Sequence, residues 1–171
     1  MREDWVEIEL GKVLVIERGG SPRPIKEYIT DSEEGINWIK IGDTEINSKF
    51  ITSTEQKIKR EGLKKTRLVK SGDLLLSNSM SFGRPYILAT DGAIHDGWLV
   101  LRNGTDYKID SEYLYYALSS PIVFAQFDRL ATGSTVRNLN TGLVSRVIAP
   151  IAPLPIQRAI VTKIENLFAS L

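Results

Sequence analysis

The sequence predicts an α+β fold: a curved mixed β-sheet or a partly closed barrel, with a few short helices and a protruding C-terminal helix. Three observations lead to this prediction. Before Asp110, short apolar runs with β-type alternation are separated by turn residues. After Asp110 the spacing of apolar residues becomes helical. From residue 156 to the end of the chain, apolar residues recur every three or four positions.

The strands are predicted from alternation and from the turns that bound them. Residues 5–16 form the predicted opening strand, and a glycine- and proline-rich loop, ERGGSPRP, leads to a second strand at residues 36–43. A short strand follows at KFITS, then a turn at residues 71–73 and a buried strand at residues 74–76. PYILAT and AIHDGWLVLR are predicted as two strands of a hairpin, because Asp91-Gly92 favours a tight turn between strands.

Helix signals dominate the C-terminal part. Asp110 or Ser111 is a predicted N-cap, and Ser120 followed by Pro121 is predicted to start a second helix. A polar loop, a late strand at LVSRVIAPI and a terminal helix follow. That helix carries a C-terminal seam, which we expect to pair with another helix in a partner chain or in a second copy. The seam consists of Ile156, Ile160, Ile164, Leu167 and Leu171.

Composition excludes several classes of function. The 171 residues include no cysteine, so thiol nucleophiles, disulfides and cysteine-ligated zinc are excluded. No stretch is long and apolar enough to predict a membrane span, and we expect a soluble cytoplasmic protein. The net charge of +1 hides a basic segment, residues 57–70, which holds seven basic residues and one acid. Such a segment indicates a polyanion contact, although charge alone does not distinguish it from a solvated lysine-rich face.

The stretch SNSMSFGRP, residues 77–85, raises the question of a serine nucleophile. A nucleophile elbow needs Gly-x-Ser-x-Gly between a strand and a helix, whereas Ser79 stands where the first glycine should be and a strand follows. The only histidine, His95, has Asp96 as its chain neighbour, where a carboxylate is poorly placed to orient its ring. Serine hydrolysis is therefore not expected.

Two alternatives to nucleic-acid binding remain open from the residues alone. Asp43, Glu55 and Lys57 loosely fit the acid and Glu-x-Lys pattern of metal-dependent nucleases, a pattern that is common by chance. The terminal helix by itself would suit a protein-interaction module that does not bind DNA. We expect no directly bound metal or cofactor.

Contact with nucleic acid accounts for more of the sequence. Polar loops follow predicted strands at RGGSPRP, SNSMSFGRP and GSTVRNLN, and each contains arginine with serine or asparagine. The same residue types also stabilise ordinary turns, so each site has a purely structural interpretation. Predicted phosphate contacts are Lys57, Lys59, Arg60, Lys64, Lys65 and Arg67. Predicted base readers are Asn78, Ser79, Ser81, Arg84, Arg137 and Asn138, and further loop candidates are Arg23, His95, Ser134 and Thr135.

Taken in order, these stretches resemble the specificity (S) subunit of type I restriction–modification systems. The resemblance is carried by WVEIELGKV, GGSPRP, INWIKIGD, SGDLLLSNSMSFGRPYI, AIHDGWLVL, EYLYYALSS, GSTVRNLN and APLPIQRAIVTKIENLF. It covers essentially the whole chain. No one motif is decisive, whereas the ordered set is specific.

The resemblance implies a target recognition domain at residues 1–152, followed at residues 153–171 by the start of the spacer helix of the family. Such subunits usually carry two of these domains and read the two halves of a split DNA target. They perform no chemistry: methyltransferase (M) subunits use S-adenosylmethionine, and a restriction (R) subunit uses ATP. The chain departs from the family pattern at Ile156, where glutamate is usual, so an M-subunit contact through that position is not expected.

Overall fold

The computed structural model describes residues 5–79, 82–131 and 138–171. Four α-helices occur in these ranges, α1 (Ser111–Ser119), α2 (Pro121–Leu130), α3 (Thr141–Ser145) and α4 (Leu154–Ala169), with short 3-10 helices at Leu10–Lys12, Ile25–Glu27, Ile41–Asp43 and Arg60–Lys65. The strands are β1 (Val6–Glu9), β2 (Leu14–Arg18), β3 (Ile29–Thr30), β4 (Ile36–Ile39), β5 (Phe50–Ile51), β6 (Gln56–Ile58), β7 (Arg67–Val69), β8 (Leu74–Ser77), β9 (Pro85–Leu88), β10 (Gly92–Ile94), β11 (Trp98–Asn103) and β12 (Ile148–Ile151).

The strands form curved sheets that do not close into a barrel. One five-stranded sheet has the order β2-β11-β8-β9-β5, a second has the order β3-β6-β4-β10-β7, and β1 pairs with β12. Most pairs are antiparallel, but β5 with β9 and β4 with β10 are parallel. The predicted α+β class, with a mixed sheet, few helices and a C-terminal helix, is confirmed.

The predicted hairpin at Asp91-Gly92 is wrong. Strand β9 pairs with β8 and β5, whereas β10 pairs with β4 and β7 in the other five-stranded sheet. Neither Asp91 nor Gly92 has the positive φ that a type I′ turn requires, and the Asp91 carboxylate instead accepts a hydrogen bond from the Ser71 amide at 2.8 Å. The turn therefore carries the chain from one sheet to the next.

The run AIHDGWLVLR is also two strands and not one. Strand β10 ends at Ile94, and β11 begins at Trp98 in the other sheet. The Trp98 amide donates to the His95 carbonyl at 3.2 Å, which closes a tight turn over residues 95–98. This break places His95 and Asp96 in a loop, which alternation alone did not predict. The predicted first strand is likewise divided into β1 and β2 by the 3-10 helix at Leu10–Lys12.

The central strands are buried on both faces. Leu74 and Leu76 of β8 belong to a core that they share with α1 and α2, whereas Leu75 belongs to a core that it shares with Trp98 and residues of the second sheet. Both faces of β8 are thus apolar, which explains why its sequence shows no alternation.

Helices α1, α2 and α4 begin where the sequence predicts, whereas α3 (Thr141–Ser145) is not predicted and overlaps the start of the predicted strand LVSRVIAPI. The Asp110 carboxylate accepts from the amides of Glu112 and Tyr113, at 3.0 and 3.2 Å, and Ser120 caps α2 ahead of Pro121. Helix α4 begins at Leu154 and packs against the large core through Ile160 and Val161. No helix in the described ranges is both long enough and apolar enough to cross a membrane.

Candidate nucleic-acid interface

Strand register brings the polar loops to one end of the β2-β11-β8-β9-β5 sheet. Arg18, the last residue of β2, pairs with Leu99, and Ser77, the last residue of β8, pairs with Trp98, the first of β11. Strand β9 starts beside the end of β8, and β5 runs parallel to β9. Residues 19–24, 46–49, 78–79, 82–84 and 95–97 therefore extend from the same end, which we call the loop end.

Asn78 joins its own segment to residues 95–97 and to Leu139. Its amide donates to the Gly97 carbonyl at 2.9 Å, its side-chain Nδ2 donates to the Asp96 carbonyl at 2.7 Å, and its carbonyl accepts from the Leu139 amide at 2.8 Å. The residue is fully buried. Its side chain thus holds these parts of the chain together and has no exposed surface for a base, so Asn78 does not read a base.

The loop of residues 19–24 is held tightly between two neighbours. A Cβ on Gly19 would lie 2.2 Å from the His95 carbonyl oxygen, and a Cβ on Gly20 would lie 2.3 Å from the Lys65 carbonyl oxygen. Only glycine fits such close approaches of backbone to backbone. The predicted candidate Arg23 is exposed in this loop, and its guanidinium lies 3.9 Å from the Asp96 carboxylate.

His95 has a structural environment. Its Nδ1 accepts from the Gly97 amide at 2.7 Å, and its ring meets Trp38 edge to face at 6.1 Å between centroids. Burial lowers the pKa of His95 below its ordinary value, so the ring is neutral at pH 7. The interactions of this ring stabilise the turn between β10 and β11.

Three predicted readers lie at or beside the loop end and are at least partly exposed to solvent. Arg84 and Asn138 are exposed and Ser79 is half-buried. Among the described residues the Arg84 guanidinium has no hydrogen-bond or ion-pair partner, and it borders a polar cleft of about 190 Å³. Asn47, Ser48, Tyr115 and Ser119 also line this cleft. The candidates Ser81, Ser134, Thr135 and Arg137 lie outside the described residues.

The basic segment adjoins the loop end. Its 3-10 helix, Arg60–Lys65, is anchored by Leu63 on the small core of Trp38, Ile58 and Ala93. Just beyond it, the Thr66 hydroxyl donates to the Ile94 carbonyl at 2.6 Å. This anchoring fixes the position of the cations beside residues 19–24.

The predicted phosphate contacts differ in whether their cationic groups already interact with other protein groups. Lys57 and Lys59 donate to the carbonyls of Glu33 and Glu27, at 3.4 and 2.8 Å, and Arg67 pairs with Glu17 at 3.0 Å. Lys65 lies over the Tyr28 ring, at 5.7 Å from its centroid. Arg60 and Lys64 are exposed and, among the described residues, have no ion-pair partner. These two cations are the most available to a phosphate.

The two acidic residues of the nuclease alternative, Asp43 and Glu55, lie near each other, and their carboxylates interact with other groups of the protein. One oxygen of the Asp43 carboxylate accepts from the Lys40 amide at 2.7 Å, and the other accepts from the Glu55 amide at 3.0 Å. The Glu55 carboxylate lies 3.5 Å from the Lys40 ammonium. Within the described ranges, no group of three or more His, Asp or Glu side chains is arranged to hold a metal ion.

Sequence reasoning missed a charged cluster around Lys49. Its ammonium lies 2.7 Å from Glu112 of α1 and 2.5 Å from Glu165 of α4, and the Tyr116 hydroxyl donates to Glu165. Burial by itself would lower the pKa of Lys49, but the hydrogen bonds to both glutamates prevail and raise it. Burial and the Glu165 contact raise the pKa of Tyr116 to about 12. The partners are 63 and 116 residues from Lys49, so no local signal could have revealed them.

This cluster predicts a pH dependence of stability. The hydrogen bond from Lys49 holds the pKa of Glu165 below its usual value, so the stabilisation is present above about pH 4.3 and is lost as pH falls through the lower, folded-state pKa. We expect Lys49→Met to reduce the loss of stability in that acid range, as measured by urea unfolding at a series of pH values. Lys163→Met, an exposed change on α4, is the control. Equal pH dependence in the Lys49 variant and the wild type would contradict the assignment.

The C-terminal seam is divided by the fold. Ile160 packs against the large core, and Ile156 and Ile164 are half-buried. Leu167 is 59% exposed, and Phe168 and Leu171 are also exposed. The first turns of α4 therefore attach the helix to its own domain, and the last turns present an apolar surface.

Comparison with known proteins agrees with this arrangement. A chain from a structural study of complex assembly and conformational transition of the type I R-M system superposes with a TM-score of 0.77 at 19% identity, over 99% of this chain and 40% of that chain. The HsdS subunit from Thermoanaerobacter tengcongensis gives a TM-score of 0.75 at 19% identity, over 99% of this chain and 38% of that one.

A third structure, the type I restriction-modification S subunit from M. genitalium, gives a TM-score of 0.62 at 16% identity, over 96% of this chain and 39% of that chain. At these identities the structures share the fold, and this chain spans about two fifths of their length. Residues 2–171 match the family described as the type I restriction modification DNA specificity domain. The chain therefore belongs to the family of type I restriction modification DNA specificity domains.

Proposed function

We propose that this chain recognises one half of a bipartite double-stranded DNA target, as the specificity component of a type I restriction–modification complex. The observation that carries the proposal is the meeting of residues 19–24, 78–79, 82–84 and 95–97 at one end of a sheet, directly beside the basic segment. Polar side chains on loops that a scaffold holds in place are suited to reading base edges, and neighbouring cations are suited to holding phosphates.

In this proposal, phosphate contacts and base contacts are made by different residues. Arg60 and Lys64 bind phosphates, with Lys57, Lys59, Lys65 and Arg67 adding positive potential around them. Arg84, Asn138 and Ser79 face the major groove, where an arginine can donate two hydrogen bonds to guanine O6 and N7. Ser81 and Arg137, which lie outside the described residues, remain proposed readers.

Partner subunits carry the chemistry in this proposal. Methyltransferase subunits that use S-adenosylmethionine modify adenine, and an ATP-driven restriction subunit cleaves DNA, while this chain performs neither reaction. Membership of the specificity family supports this division of labour. Residues 1–152 act as the recognition domain, and residues 153–171 contribute to contact with another helix through the exposed end of the C-terminal seam.

Sequencing the methylated bases of a host that expresses this chain with its methyltransferase subunit tests the proposal. We expect N6-methyladenine at one split motif that depends on the chain. In Arg84→Ala the motif is expected to relax at one base pair, because a bidentate arginine contact discriminates by about 1–3 kcal/mol.

The matched control is Arg146→Ala. Arg146 is an exposed arginine at the end of α3, and α3 packs beside the 3-10 helix at Leu10–Lys12. The control is expected to leave the motif unchanged. Absence of any methylated motif that depends on the chain would overturn the proposed function. A uniform loss of methylation in Arg84→Ala would assign Arg84 to the phosphates.

A further inference from the structure

Asp96 is an acidic residue at the loop end, surrounded by donors. The Arg18 Nε donates to its carbonyl at 3.0 Å, and the Asn78 Nδ2 donates to the same carbonyl at 2.7 Å. The backbone of Asp96 is thus fixed by side chains from β2 and from the loop that follows β8. Its side chain is directed by a separate contact.

The Asp96 carboxylate has one oxygen that is held and one that is available. The Ser21 hydroxyl donates to Oδ1 at 2.6 Å, whereas the closest cation to Oδ2 among the described residues, on Arg23, is at 3.9 Å. The side chain is 48% exposed. The hydrogen bond from Ser21 is the main cause that lowers the pKa of Asp96, so the group is ionised at neutral pH.

An ionised carboxylate accepts hydrogen bonds and donates none, and phosphates repel it. On a surface that binds DNA it therefore suits a base edge that presents an amino group. In the major groove, cytosine presents its N4 amino group, whereas the N6 amino group of adenine lies beside the N7 acceptor, which repels a carboxylate. Guanine presents two acceptors there and thymine presents one acceptor and a methyl group.

We propose that Asp96 is a specificity-determining residue that reads the N4 amino group of one cytosine in the half-site, with Ser21 positioning its carboxylate. This proposal rests on the proposed function, because it assigns a base to a residue of the same surface. It adds a reader that the sequence pattern did not indicate. A purely structural Asp96 would only tie residues 19–24 to the turn before β11.

Selection of bound duplexes from a random-sequence library at low salt, with the 171-residue chain, tests the proposal. The wild type is expected to select a half-site that contains a cytosine. In Asp96→Asn the preference for that cytosine is expected to fall about tenfold at one base pair, with the other positions retained. Ser21→Ala is expected to weaken the preference at the same base pair, because the carboxylate loses its orientation.

The control is Asp106→Asn, an exposed aspartate after β11, at the opposite end of the sheet from Asp96. It is expected to select the wild-type half-site. If Asp96→Asn keeps the full preference, or loses affinity equally for all sequences, Asp96 is structural and the proposal is overturned. If the wild type selects no half-site, the proposed function itself fails, which is a distinguishable result. Thermal unfolding of each variant verifies that it is folded.

Discussion

Replacement of Gln157 by alanine is expected to lower the free energy of unfolding by about 3 kcal/mol. Gln157 is fully buried at the start of α4. Its Oε1 accepts from the Asp110 amide at 2.8 Å, and its Nε2 donates to the carbonyls of Ala152 and Lys108, at 2.8 and 3.1 Å. The substitution leaves these backbone groups without their partner, and each buried unpaired group costs about 1–3 kcal/mol.

Equilibrium unfolding in urea measures this effect. Asn166→Ala is the matched control, because Asn166 is an exposed amide on the same helix. The control is expected to change stability by less than about 0.5 kcal/mol. A loss below about 1 kcal/mol in Gln157→Ala would show that water or a shift of α4 replaces these hydrogen bonds.

The double variant Arg60→Gln/Lys64→Gln is expected to bind duplex DNA about 50-fold more weakly at 0.1 M salt. Each phosphate contact contributes about 0.9 to the slope of log K against log salt, so the slope should become shallower by about 1.8. Both side chains are exposed, and their replacement leaves the core under the 3-10 helix unchanged. The loss should be equal for all sequences, because phosphates carry no sequence information.

Fluorescence anisotropy with a labelled duplex over a range of salt concentrations measures both quantities. Lys12→Gln/Lys108→Gln removes the same charge at exposed positions near the opposite end of the sheet. This control is expected to keep the wild-type slope. If both double variants weaken binding equally, net charge and not the basic segment is responsible.

The fold class followed from local chemistry, and the family from a resemblance of stretches taken in order along the chain. A cap such as Asp110 or Ser120 acts on amides two or three residues away, so its effect is contained in the sequence around it. The basic segment is likewise contiguous along the chain. These features are visible without knowledge of any distant contact.

Two of the wrong strand predictions show the limit of local chemistry. Asp91-Gly92 has the composition of a hairpin turn, but β9 pairs with β8 and β5 in one sheet and β10 pairs with β4 and β7 in the other. AIHDGWLVLR has the composition of one strand, but His95 and its neighbours turn the chain. In both places the pairing of distant strands overrides the local preference.

The sequence by itself determined the α+β class, the starts of α1, α2 and α4, the basic segment and the polar character of the loops, because each depends on residues within a few positions of one another. Only the tertiary structure decided which polar residue is buried and which is exposed. Asn78 is buried, and its side chain bonds to the Asp96 carbonyl, 18 residues away along the chain. The carboxylate of Asp96 is half-exposed and is fixed by a hydrogen bond from Ser21, 75 residues away. The register of distant strands sets such bonds, and a register belongs to pairs of strands and not to either one alone.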